Sequence, residues 1–87
     1  MDSFRVEWKR SALKELRKLP KDAVARIWRA VERLPDDPFP PGMRKLVGSD
    51  HMYRLREGDY RIIYSVVSMT LLIEIVKVGH RKDVYDR

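Results

Sequence analysis

Apolar side chains change their spacing several times along this chain, and each change predicts an element. Phe4, Val6 and Trp8 alternate with Arg5 and Glu7, a period of two that predicts a half-buried strand. From residue 10 the spacing turns helical. Ala12, Leu13 and Leu16 line up, with Leu19 one step further, against Lys9, Arg10, Lys14, Arg17 and Lys18. Pro20 ends this helix and suits the first turn of another, where a missing N–H costs nothing. Val24, Ile27, Val31 and Leu34 then recur at three- and four-residue steps, widened by Trp28 and Ala30, until Pro35. Residues 10–34 are therefore expected to form a helical hairpin cornered at Leu19–Pro20. Trp8 and Trp28 lie on the apolar stripes and are expected in the core.

Residues 35–43 hold four of the five prolines, which neither a helix nor a central strand tolerates, so a stiff loop is expected. Three strands follow: Met52–Glu57, then Tyr60–Val67 after the Gly58-Asp59 turn, then Leu71–Val78 after Ser68-Met69-Thr70. Such short connections predict an antiparallel meander. The order is β-α-α-β-β-β. We expect an α+β fold, a helical hairpin packed on one face of a mainly antiparallel four-stranded sheet. No internal repeat is present, and residues 79–87 are too few for a substantial helix.

Composition narrows the function. Eighty-seven residues make one domain, 1–87. An apolar share of 44% is too high for a disordered chain. The absence of cysteine excludes a disulfide scaffold, a thiol nucleophile and a Cys-based zinc site. Two histidines are too few for a His-rich metal cage, and neither metal nor cofactor is expected. No apolar run approaches a bilayer span, and Met-Asp-Ser-Phe-Arg is no signal peptide, so a cytoplasmic protein without a membrane partner is expected. Lys plus Arg is 19 against 13 Asp plus Glu, a net charge of +6. That surplus favours an anionic partner. From Lys9 to Arg33 there are nine basic and three acidic residues, so the hairpin alone carries a surplus as large as that of the whole chain.

Arginines concentrate where the second predicted strand turns away from the core. Tyr53 and Leu55 share one face; Arg54 and Arg56 share the other. Arg61 opens the next strand, and Arg81 follows the last on the parity of Lys77. With adjacent strands, Arg54, Arg56, Arg61 and Arg81 converge on one concave patch. Tyr85 lies at its rim, and Arg44 and Lys45 flank the approach. Convergent guanidiniums repel one another unless an anion joins them, and a phosphodiester matches their planar fork. An aromatic beside them can stack on a base. The same spacing also fits a solvated strand face, its arginines paired to Glu57, Asp59 and Asp83. Histidine is the side-chain type suited to proton transfer near neutrality, and the chain has two, His51 and His80. His80 points opposite to Arg81 on an ideal strand, which makes each histidine more a loop or rim residue than a base. Met43, Met52 and Met69 read as gap fillers or turn residues.

Three motifs in order now carry a resemblance: Tyr53-Arg54-Leu55-Arg56; Gly58-Asp59-Tyr60-Arg61-Ile62-Ile63-Tyr64; and Val78-Gly79-His80-Arg81-Lys82-Asp83-Val84-Tyr85. With Phe4–Trp8, Ser11-Ala12, Leu16 to Leu19-Pro20, and Asp37-Pro38 through Gly48, they cover nearly the whole chain. The sequence resembles the RelE/ParE superfamily of type II toxin–antitoxin toxins, on the RelE-like mRNA-interferase side. The resemblance implies metal-independent cleavage of mRNA in the ribosomal A site, the ribose 2′-OH attacking the adjacent phosphate to leave a 2′,3′-cyclic phosphate. It implies that Arg61 and Arg81 hold the scissile phosphate, with Arg81 also a proton donor to the leaving oxygen, and that Tyr85 stacks on the base. Arg54 and Arg56 join them as catalytic positions, and Lys45, Arg44 and His80 as RNA contacts. The family pattern has lysines where Arg54 and Arg56 stand, one of them proposed as the general base. Arginine keeps its proton far above neutral pH and is a poor base, which leaves His80, Lys45 or the ribosome for that role. Partners implied are a RelB-like or other small antitoxin, the ribosome and mRNA. The alternative within the superfamily is a ParE-like inhibitor of DNA gyrase that cuts nothing; outside it, a non-toxic nucleic-acid binding module.

Overall fold

The computed structural model describes residues 3–82. Strand β1 (Arg5–Trp8) leads into helices α1 (Arg10–Arg17) and α2 (Lys21–Arg33), followed by β2 (Met43–Lys45), β3 (Met52–Glu57), β4 (Tyr60–Val67) and β5 (Leu72–His80). The five strands form one sheet in the order β1-β5-β4-β3-β2. β1 runs parallel to β5, and every other pair is antiparallel. The expected architecture is present with one strand more than the four predicted.

The helical hairpin forms as its spacing predicts. Ala12 and Leu16 of α1 and Ala23, Ile27, Ala30 and Val31 of α2 are buried. All of these but Ala23 cluster with Leu55, Ile62, Tyr64, Val66, Ile73, Ile75 and Val78 from one face of the sheet. Pro20 is the N-cap of α2, with φ −59° and ψ 153°, one position before the first turn. There its ring fixes the extended entry to the helix. Trp28 departs from expectation: it is 45% exposed and stacks on Trp8 with ring centroids 5.5 Å apart. α2 reaches the margin of the sheet at this point, so the tryptophan covers the edge of the core instead of entering it.

Two further differences have local causes. Met43, expected to end the proline-rich loop, joins Arg44 and Lys45, for which no element was expected, and the three add to the sheet as β2. Three residues are too few to show periodicity, and their order comes from pairing with β3. Leu71, expected to open the last strand, instead ends the 3-10 turn Ser68–Thr70 in the left-handed region, φ 51°. Its N–H reaches the carbonyl of Ser68, which closes the reversal before β5 begins.

The proline-rich segment is tied down by aromatics. The Tyr64 hydroxyl donates to the Pro38 carbonyl at 2.8 Å. Phe39 packs edge-on to Tyr53 at 5.1 Å, and Tyr53 lies 5.9 Å from Tyr64. This cluster holds the crossing so that β2 arrives beside β3.

Candidate nucleic-acid interface

Register, more than sequence distance, gathers the arginines. β3 and β4 pair Arg54 with Ile63 and Arg56 with Arg61. β2 pairs Arg44 with Arg54, and β5 pairs Gly79 with Arg61. Cross-strand partners share a face, so two rows form on the face away from the helices. One row runs Arg44, Arg54, Ile63; the other runs Arg56, Arg61, Gly79. The rows are two residues apart along each strand, roughly 6.5–7 Å. Like charges set directly opposite are destabilising by themselves, and here that happens twice, at Arg44–Arg54 and Arg56–Arg61.

Gly42, Arg44, Arg54, Arg56 and Gly58 line an open groove of about 440 Å³. Both glycines have positive φ, 92° and 59°. Gly58 belongs to the turn expected from sequence, whereas Gly42 was read only as part of the proline-rich loop. Arg44 and Arg56 are exposed. Arg54, expected to face water, is only 7% exposed, and Arg61 is partly buried. The outward parity of Arg54 was legible, but its burial was not, because burial depends on what surrounds the strand and not on its alternation.

The other predicted site residues lie outside the two rows. Arg81 is exposed and follows β5; its N–H donates to the Asp59 carbonyl at 2.8 Å, fastening the strand end to the β3–β4 turn. Lys45 pairs with Tyr53 and so falls on the opposite parity to Arg44. His80 pairs with Tyr60, its ring edge-on to that tyrosine at 5.6 Å. With Glu15, Lys18, Leu19 and Lys77 it lines a separate cavity of about 170 Å³ beside α1. Its Nδ1 accepts the Lys82 N–H at 3.2 Å, so the neutral ring carries its proton on Nε2. His51 is exposed in the loop before β3. Tyr85 and the proposed carboxylate partner Asp83 lie outside the described residues. Among the described residues, no group of three or more His, Asp or Glu is placed to hold a metal ion.

One phenol is displaced in its titration. Burial, followed by the neighbouring Tyr53 and Asp37, pushes the Tyr64 hydroxyl well above its ordinary value. It therefore stays a neutral donor to Pro38.

A family model described as the ParE toxin of the type II toxin–antitoxin system parDE matches residues 6–85. The chain belongs to the RelE/ParE superfamily of type II toxins. A protein of Methanocaldococcus jannaschii named as toxin RelE1 is 33% identical over 85 residues, covering 94% of each chain. The RelE–RelB complex of Pyrococcus horikoshii contains a similar fold, with TM-score 0.81 and 34% identity, covering 93% of this chain and 98% of that one. The RelB–RelE antitoxin–toxin complex of Methanococcus jannaschii gives TM-score 0.74 at 26% identity, over 91% and 94% of the two chains. This toxin thus shares its fold with RelE proteins, while its family model carries the ParE name. Among its described residues, no helix is long and apolar enough to cross a membrane.

Proposed function

We propose that this toxin is an endoribonuclease that cuts mRNA within the cytoplasmic ribosome. The observation that carries the reading is the double row of Arg44, Arg54, Arg56 and Arg61 assembled by strand register. A face that sets like charges in direct opposition is suited to consecutive phosphates, whose oxygens the exposed guanidiniums of Arg44 and Arg56 can meet in bidentate fashion.

In this reading Arg61 and Arg81 hold the scissile phosphate. The 2′-oxygen forms a bond to phosphorus as its proton leaves, and the bond from phosphorus to the 5′-oxygen breaks. A 2′,3′-cyclic phosphate and a 5′-hydroxyl remain, the leaving oxygen taking a proton from Arg81. Charge builds on the phosphorane, where pre-oriented donors contribute most. Arg54 and Arg56 share in that stabilisation, Arg44 guides the adjacent backbone, and Tyr85 stacks on the base. Lys45 and His80 are turned from the rows, which argues against either as acceptor of the 2′-OH proton. We assign that step to the ribosome. A small antitoxin, like those bound to RelE in the solved complexes, is the resting partner.

Mapping RNA 5′ ends after induction, inside and outside ribosomes, tests the proposal. Cuts within translated codons are expected. Arg61→Ala or Arg81→Ala should lower kcat on the order of 10²–10³-fold, as loss of an oxyanion donor does, with the fold intact. Growth arrest with intact mRNA and trapped gyrase–DNA complexes would instead support the ParE-like reading.

A further inference from the structure

The outer edge of β5 changes partner part-way along. β1 covers it as far as Ile75, the Cα partner of Trp8, and the Lys9 N–H reaches the Ile75 carbonyl at 2.9 Å. β5 then runs on to His80 beyond the end of β1. Its register against β4 slips at the same place: Tyr64 pairs with Ile75 but Ile63 with Lys77, leaving Val76 as the extra residue. A bulge followed by an edge with no neighbouring strand among the described residues leaves the strand's direction weakly determined.

Glu15 of α1 occupies that edge. Its Oε1 accepts the Val78 N–H at 3.1 Å, and its Oε2 accepts a hydrogen bond from Lys77 Nζ at 2.7 Å. One carboxylate thus stands where a strand carbonyl would be. By engaging two successive residues, it opposes both sliding and rotation of the strand. Three residues after Val78 comes Arg81, whose own N–H is held by the Asp59 carbonyl. Glu15 and Asp59 brace the segment from opposite sides. The Lys77 pair alone would count for little, since both side chains are substantially exposed, 44% and 31%, and such pairs contribute weakly. The backbone bond to Val78, itself 2% exposed, makes the contact more than a surface ion pair.

We propose that Glu15 is a positioning residue: from α1 it holds the bulged end of β5 in the course that delivers Arg81 to the arginine rows. The functional half of this inference rests on the reading that Arg81 acts on the scissile phosphate. Glu15 itself touches no RNA in this scheme.

The test combines backbone amide exchange with single-turnover cleavage on ribosomes, for wild type, E15A, E15Q and K77M. In E15A the Val78 amide should lose protection while the β4 core amides keep theirs. The cleavage rate should fall on the order of 10²-fold, the scale expected of a misplacement of about 1 Å, with KM little changed. E15Q retains an acceptor for Val78 and should restore both readouts; K77M should leave both near wild type. Wild-type protection and rate in E15A would overturn the proposal. So would an E15Q as impaired as E15A, because the backbone bond would then not be what matters. Should E15A fail to fold, E15D, one methylene short of Val78, replaces it with the same expectations. If the wild-type toxin cuts no RNA, the nuclease reading fails, and exchange alone decides on the brace: lost Val78 protection supports it and retained protection overturns it.

Discussion

Tyr64 is fully buried, yet its hydroxyl has a definite task, donating to the Pro38 carbonyl. Tyr64→Phe should destabilise the fold by about 0.5–1.5 kcal/mol, the net worth of a typical hydrogen bond, measured from the denaturant midpoint. The same contact sets an alkaline limit. The phenol's folded-state pKa is raised, so its contribution to stability is complete below the ordinary tyrosine value of about 10 and is lost as pH rises beyond it. The stability difference between wild type and Tyr64→Phe should therefore shrink above about pH 10, checked by unfolding at several alkaline pH values. None of this was legible from sequence, where Tyr64 was one apolar position in a strand. The loop that its hydroxyl meets is 26 residues away.

Elements differ in how much of themselves the sequence revealed. Both helices and the β3–β4 hairpin were legible, because a dozen apolar positions at fixed period and a Gly58-Asp59 turn are local signals. β2 was not, because its order is borrowed from β3. Gly58 shows both kinds of information at once. Its φ of 59° is what a turn glycine is for, but its closeness to the Arg26 guanidinium belongs to the packing of α2. A Cβ there would displace Arg26 and weaken its contact with Glu57, 3.9 Å away. Gly58→Ala should cost about 1–2 kcal/mol from the left-handed backbone alone, read as a lowered unfolding midpoint. Because Asp59 also holds Arg81, cleavage should fall with it.

Across the whole molecule, charge is spread over two surfaces. Exposed Lys14, Arg17, Lys18 and Lys21 lie along the helical hairpin, while the arginine rows lie on the far face of the sheet. RNA affinity should fall steeply with salt through counterion release. Arg56→Ala should reduce the slope of log K against log salt by about 0.7–1, measured by titration at several ionic strengths. The net charge of +6 and the strand alternation that turns Arg54 and Arg56 from Leu55 are properties of the sequence alone, since summation and period two require no fold. The sequence likewise determined the hairpin, the meander and the superfamily resemblance, all carried by local spacing and ordered motifs. Tertiary structure decided the rest. Pairing brought Arg44 opposite Arg54 and set Arg56 against Arg61. Alternation across that register put Lys45 and His80 off the rows. The early end of β1 left β5 to be braced by Glu15. These outcomes depend on which strands become neighbours and where each one stops, and both are settled only when the core closes.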